Sequence, residues 1–472
     1  MLATRLLAVL ERYRVPVALE EDRLEEGLGR LIGEGGELRW AVGVGGDLRE
    51  LRLDGVTLFA RPLGDEAAAQ LLGRGWEPAE PLSLPDGTRV ASVWRSTSGV
   101  FLPFDPDEAI SALLREDYVS AGDRRVGWSR ATALRRLYYA VRPLLPRSTQ
   151  MALRRRYARV QERASFPGWP QETALHELEA LVLALAERAA GAPLPWLAPW
   201  PDDRGWAVVL THDVERARGY AHIGPVLDVE RKAGVRSAWY FVPERDYAVD
   251  DACLRDLRDG GFEIALHGLR HDGRDLAERT FDMRLPAMRA YAERWGAVGF
   301  RSPATQRDWE RISRLGLDHD SSWSDVARYE PQCGGSCSIL PFFVGQVVEL
   351  PITLPMDHTL FELLGHQDGS AWTEKAAFLR ARGGLALLLT HPDYLLHDRL
   401  LGAYERFVGD LAGDASAWHA LPREASAWWR ARAASALVPD GEGWRVEGPA
   451  AERATIRRGA PEPAYAPAGP VA

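Results

Sequence analysis

Short apolar runs alternate with stretches of helical period from Trp206 onward. Seven segments, at 206–211, 236–241, 262–266, 298–301, 317–321, 347–352 and 385–390, read as strands. The residues between them carry a 3.6-residue period, and the helical stretches at 251–259 and 371–382 each stop at a Gly-Gly pair. Such alternation predicts a parallel sheet wound by helices. Seven units fit a barrel, in which functional residues gather where strands end. Four of these strand ends are conspicuously polar: Thr211-His212-Asp213-Val214-Glu215, His267-Gly268-Leu269-Arg270-His271, Arg301-Ser302-Pro303 and Thr390-His391-Pro392.

The first 200 residues follow a different pattern. After an opening amphipathic helix, runs at 38–44, 48–53, 56–60 and 89–94 read as strands separated by Gly/Asp turns such as Gly45-Gly46-Asp47. Asp105-Pro106-Asp107-Glu108 is a helix start, with proline just inside and acids in the first turn. Residues 1–120 thus predict a small α+β domain without a catalytic cluster. Residues 121–192 predict a helical connecting region, and within it 124–163 holds twelve arginines and one acid, Glu162. Two readings stand side by side: a basic face for an anionic membrane surface or polymer, and a connecting layer whose arginines are solvated or paired. Proline-rich residues 193–201 form an extended linker. A barrel domain over 205–430 follows, and the Ala/Pro/Gly-rich residues 445–472 are expected to be disordered.

Charge and composition narrow the class. Lys+Arg 58 against Asp+Glu 67 gives a net charge of −9, which speaks against a nucleic-acid-binding protein. Cys253, Cys333 and Cys337 make no disulfide framework and no zinc-knuckle spacing. Apolar runs fall short of the ~18 residues a membrane-spanning helix needs. Charges interrupt the N-terminal apolar residues, unlike a signal peptide, so a cytoplasmic location is expected. The oligomeric state is not legible.

At a strand end side chains alternate, so Asp213 and Glu215 point one way while His212 and Val214 point the other. Two carboxylates in one pocket offer a metal ligand and a base, although acids after a strand also cap helices. His267 and His271, four apart, tip the balance: a helical turn begun at His267 sets both imidazoles on one side. Two nitrogens and a carboxylate oxygen, with positions left open, describe a catalytic divalent-metal site. Zn²⁺ is the first expectation, and Co²⁺, Ni²⁺ or Fe²⁺ fit the same donors.

Residues from about 205 to 400 resemble the polysaccharide deacetylase family, also called the NodB-homology or carbohydrate esterase 4 domain. Thr211–Glu215 is similar to its Thr-Phe-Asp-Asp-Gly motif, in the branch with Asp-x-Glu, and His267–His271 to its His-Ser/Thr-x-x-His motif. Arg301-Ser302-Pro303, Asp320-Ser321-Ser322-Trp323 and Leu387–His391 resemble its Arg-x-Pro, Asp-x-x-Trp and Leu-x-Leu-x-His motifs. The resemblance implies a distorted (β/α)7 barrel and a metal-dependent hydrolase that removes N-acetyl groups from a carbohydrate. It implies Asp213 as base, Glu215, His267 and His271 as metal ligands, and Arg301 holding Asp213, with the two carboxylates free to exchange roles. His391, oriented by Asp320, becomes the general acid, and Trp323, Leu387 and Leu389 form an acetyl pocket or plain core. The chain between Trp323 and His391 is longer than the pattern leads one to expect, and there Asp357 and His358 follow a strand and could line the pocket. Two other readings remain: hydrolysis of a non-sugar C–N bond on the same barrel, as in allantoinase-like relatives, and a non-catalytic protein that binds anionic surfaces.

Overall fold

The computed structural model describes residues 7–16, 27–119 and 147–459. They fall into two compact units. The first comprises the described residues up to 119, Thr173–Ala198 and those from Arg432 onward; the second comprises those from 147 to Glu172 and Pro199–Ala431.

The first unit is built on a seven-stranded sheet in which Gly36–Ala41 and Gly99–Leu102 run parallel and the other neighbours antiparallel. Three of its strands, Leu28–Gly33, Glu77–Ser83 and Gly99–Leu102, escape the sequence pattern, the second because two prolines interrupt it. The helix Pro106–Leu114 begins where expected: the Asp105 carboxylate accepts from the Asp107 backbone N–H at 3.0 Å, and Pro106 opens the first turn. The helix Ala174–Ala190 lays Leu175, Leu178, Val182 and Ala186 on this sheet.

The expected connecting region 121–192 is therefore not one layer. Ala174–Ala190 belongs to the first unit and the arginine-rich helix Arg147–Gln161 to the second, while 121–146 lie outside the described residues. The tail also departs from expectation. Gly443–Glu447 pairs with Ala436–Asp440, and Ile456–Arg458 pairs with Pro195–Leu197 inside the proline-rich linker. Alternating Trp444 and Val446 are strand signals that the surrounding Ala, Pro and Gly obscure. Residues from 460 on lie outside the described ones.

All seven strands expected in the second unit are present: β1 (Trp206–Val214), β2 (Ser237–Phe241), β3 (Glu263–Leu266), β4 (Gly299–Phe300), β5 (His319–Asp320), β6 (Val347–Glu349) and β7 (Leu385–Thr390). They pair in parallel in the order β6-β5-β4-β3-β2-β1-β7. Two three-residue strands are additional: Phe342–Val344, antiparallel beside β6, and Ala417–His419 beside the start of β1. The sheet curls until its ends meet. Thr353 and Leu354, just past β6, donate their backbone N–H groups to the Leu387 carbonyl of β7 at 3.2 and 3.0 Å, and Leu387 N–H donates to Thr353 Oγ1 at 2.9 Å. All nine residues of β1 are buried, as a wall covered on both faces requires.

Register sorts the side chains. Asp213 lies beside Tyr240, and Thr211 beside Ala238 and Leu389, so these share one face. Val214, Phe241, Leu266, Phe300, Asp320 and Glu349 form a row on the other.

Candidate metal centre

Adjacent residues at the end of β1 serve opposite faces. His212 is held in the packed layer outside the wall: its Nδ1 meets Thr390 Oγ1 and its Nε2 meets Glu230 Oε1, each at 2.8 Å. Asp213 points the other way and accepts a hydrogen bond from Arg301 Nη1 on Oδ1 at 2.8 Å. Two residues on, Glu215 returns to the same side, as the period-2 alternation predicts.

The two motif histidines come together differently from the sequence expectation. His267–His271 forms no helix. Gly268 and His271 adopt left-handed backbone conformations (φ 64° and 52°), and the loop folds back so that the imidazole centroids lie 5.0 Å apart. A glycine is needed at 268 because a Cβ would meet Asp275 Oδ2 at 2.2 Å and Pro303 at 2.6 Å. Asp275 fixes the loop by accepting from Leu269 N–H at 3.0 Å, and Arg284 holds Asp275 at 2.6 Å.

Glu215 Oε1 is the point of convergence. His271, His391 and His267 bring their Nε2 atoms to 2.8, 3.6 and 3.8 Å from it. Ligand atoms of Glu215, His267 and His271 all lie within 4.8 Å of one another. His267 Nδ1 faces the Arg301 carbonyl at 3.1 Å, which assigns the ring proton to Nδ1 and leaves a lone pair on Nε2. That Nε2 is buried and has no hydrogen-bond partner. A lone pair without a donor, facing a carboxylate and a second imidazole, is a donor set that could hold a divalent metal ion.

Arg301, fully buried, spends its guanidinium on this assembly. Besides Asp213 it donates to Ser321 O at 2.7 Å, Ser321 Oγ at 2.8 Å and Thr211 Oγ1 at 3.0 Å, and it lies over the Tyr240 ring at 4.2 Å. Burial alone would raise the Asp213 pKa; the electrostatic influence of the neighbouring His267, Arg301 and His391 outweighs it and keeps the carboxyl below its ordinary value. Glu215 is lowered further against the same burial, chiefly by His271.

His391, just past β7, is held by Asp357 and not by Asp320. Asp357 Oδ1 meets His391 Nδ1 at 2.7 Å, and its Oδ2 accepts the His391 backbone N–H at 2.6 Å. Burial lowers the His391 pKa, but the charge and hydrogen bond of Asp357, with Glu215 and Asp213, overcome it and push it up to about 10. Burial also lifts Asp357 above the usual carboxylate range, His391 offsetting only part of that. The sequence carries a trace of this partner, an acid in the Leu354-Pro355-Met356-Asp357 turn after a strand. What it hides is the seam, which sets residues 353–357 beside β7. Asp320 pairs instead with Glu349 across β5 and β6.

Of the residues expected to enclose an acyl group, Leu387 and Leu389 share the Asp213 face of the wall. Trp323 is 2% exposed and packs edge-on against Trp309 and Phe342, at centroid distances of 6.0 and 6.3 Å. His358 packs beside Tyr394, which also contacts the His391 ring. No disulfide links Cys253, Cys333 and Cys337, and no described helix is long and apolar enough to cross a membrane.

No family model matches the sequence, and no curated protein matches it. Among solved structures the chain is similar to a protein from Mycobacterium smegmatis assigned as a polysaccharide deacetylase, with 21% identity over 52% of this chain and 98% of that one and a TM-score of 0.42. It is similar to the allantoinase PuuE at 16% identity, covering 49% and 92% of the two chains, with a TM-score of 0.39. A family 4 carbohydrate esterase from Streptomyces lividans, in complex with acetate, matches at 16% identity over 45% and 91%, with a TM-score of 0.30.

Proposed function

We propose that the chain is a metal-dependent deacetylase that removes N-acetyl groups from a carbohydrate. One observation carries this reading: Glu215, His267 and His271 converge around a buried, unpartnered His267 Nε2, beside a carboxylate already held by an arginine. The resemblance of five ordered motifs to polysaccharide deacetylases supplies the substrate class.

Glu215, His267 and His271 would hold a divalent cation, which when bound would supply Lewis acidity towards water and the acyl carbonyl. Asp213, kept ionised and aimed by Arg301, takes a proton as water adds to the carbonyl carbon. His391, protonated and fixed through Nδ1 by Asp357, donates its Nε2 proton to the leaving amine nitrogen as the C–N bond breaks. Trp323, Leu387 and Leu389 form the apolar surface for the acetyl methyl. Asp320 has no part in the proton transfers.

Metal content and acetate release from N-acetylglucosamine oligomers test this reading. His267→Ala, folded by circular dichroism, is expected to lose both; retention of both would sink the site assignment. Hydrolysis of a non-sugar C–N bond, with no acetate from any N-acetylated sugar, would move the substrate class to the alternative.

A second reading concerns the arginine-rich helix. Arg147–Gln161 packs in the second unit through Ala158 against Tyr329 and Leu363, and Arg154 Nη2 donates to Tyr329 O at 2.8 Å. Its outer side exposes Arg156 and Arg159 together with Leu153 (44%) and Val160 (56%). This mixed basic and aliphatic side favours peripheral contact with an anionic membrane. Residues 124–146 of the original segment lie outside the described ones. Sedimentation with phosphatidylglycerol vesicles that Arg156→Glu/Arg159→Glu leaves undiminished would refute it.

A further inference from the structure

Two buried carboxyls have no role in the chemistry above. Asp320 and Glu349 are Cα partners on β5 and β6, in the row that faces away from Asp213. Both are 0% exposed. Asp320 Oδ2 and Glu349 Oε2 are both buried without a donor among the described residues. Two carboxyls on paired strand positions, out of water, need a proton between them, because adjacent buried carboxylates cannot both remain ionised.

The remaining oxygens reach the turns that carry the site. Glu349 Oε1 accepts the Trp323 backbone N–H at 3.0 Å. Asp320 Oδ1 accepts from Ser322 Oγ at 2.7 Å, and Ser322 Oγ in turn accepts the Ser302 backbone N–H at 2.9 Å. Ser302 is the neighbour of Arg301, and Ser321, between Asp320 and Ser322, takes two of the guanidinium's bonds. The pair therefore anchors the 301–303 and 321–323 turns from behind the barrel wall.

We infer that Asp320 and Glu349 share a single proton and act as a positioning pair that fixes Arg301, and through it Asp213, for the reaction. Burial raises both carboxyls, Glu349 well above its ordinary value, partly through Asp320. The charged or titratable groups acting on the pair are Arg301, at the end of β4, and His319, one residue before Asp320. Glutamine at 349 supplies a permanent N–H donor in place of the proton and keeps an acceptor for Trp323; leucine supplies neither.

Infrared difference spectroscopy of the wild-type protein is expected to show the carbonyl stretch of an un-ionised carboxylic acid at pH 7, absent from Glu349→Gln and from Asp320→Asn. This arm does not depend on the reaction. The positioning role rests on the deacetylase reading, and acetate release tests it: Glu349→Leu is expected to lose kcat by about tenfold at unchanged metal content and KM, while Glu349→Gln restores it. Wild-type protein without the acid band would overturn the shared proton. Equal kcat in the Leu and Gln variants, with the band present, would overturn the positioning role alone.

Discussion

His212 and His267 are both buried imidazoles at barrel strand ends, on β1 and just past β3, but they live in different regions. In the layer between wall and helices, both ring nitrogens of His212 are partnered. Glu230, its carboxylate partner, also accepts from Ser237 Oγ and Tyr404 Oη, each at 2.7 Å. At the barrel mouth, His267 has one nitrogen satisfied by a carbonyl and the other left with a lone pair and no donor. What sets His267 apart is the open lone pair together with its surroundings, since Nε2 faces Asp213, Glu215 and a second imidazole. Burial alone does not separate the two cases.

Three substitutions can break or sharpen this contrast. The largest effect is expected at the mouth: Asp213→Asn should lower kcat by about 10²- to 10⁴-fold, the usual worth of a general base. Metal content should stay unchanged, because Asp213 lies outside the Glu215, His267 and His271 cluster. Loss of the ion in that variant, measured by elemental analysis, would reassign Asp213 as a ligand.

An intermediate effect is expected from Asp357→Asn. The His391 pKa, about 10 in the fold, stands above its unfolded value. The protonated acid, and the stability that its ion pair contributes, is thus fully present below pH ~6.5 and lost as pH rises through about 10. Without the aspartate charge, the alkaline limb of the kcat/KM profile should move towards neutrality. At pH 8 an imidazole of ordinary pKa leaves roughly 30-fold less acid form. An unmoved alkaline limb would remove His391 from the acid role.

The smallest catalytic effect belongs to the outer layer. His212→Phe, the residue usual at this place in the resembling family, should leave kcat unchanged. It deprives Glu230 of one of three donors and should lower the unfolding free energy by about 1–3 kcal/mol, read from chemical denaturation. A loss of kcat comparable to that of Asp213→Asn would erase the distinction between the two regions.

The seven wall strands and the strand-end positions of Asp213, Glu215, His267, His271, Arg301 and His391 are legible because parallel βα units put polar residues at strand ends, and alternation is a local property. Three features are not. The four-residue spacing of the histidines suggests a helix, although Gly268 and the grip of Asp275 fold the loop by another route. Asp320 was given the partner that belongs to Asp357, because a pairing across the seam depends on how the sheet closes and leaves no periodic trace. The short strands Phe342–Val344 and Ala417–His419 were missed because three residues carry too little pattern.

The seam has a mechanical consequence. Neighbouring strands elsewhere in the wall are joined by backbone pairing, whereas here two N–H groups share the Leu387 carbonyl and the Thr353 side chain bridges to β7. Beyond that point the grip of Asp357 on His391 acts as the clasp. The closing line of the barrel thus runs between His391 and the group that holds it. If the wall opens along this seam, His391 loses Asp357, and the proposed proton donor falls silent before the strands come apart.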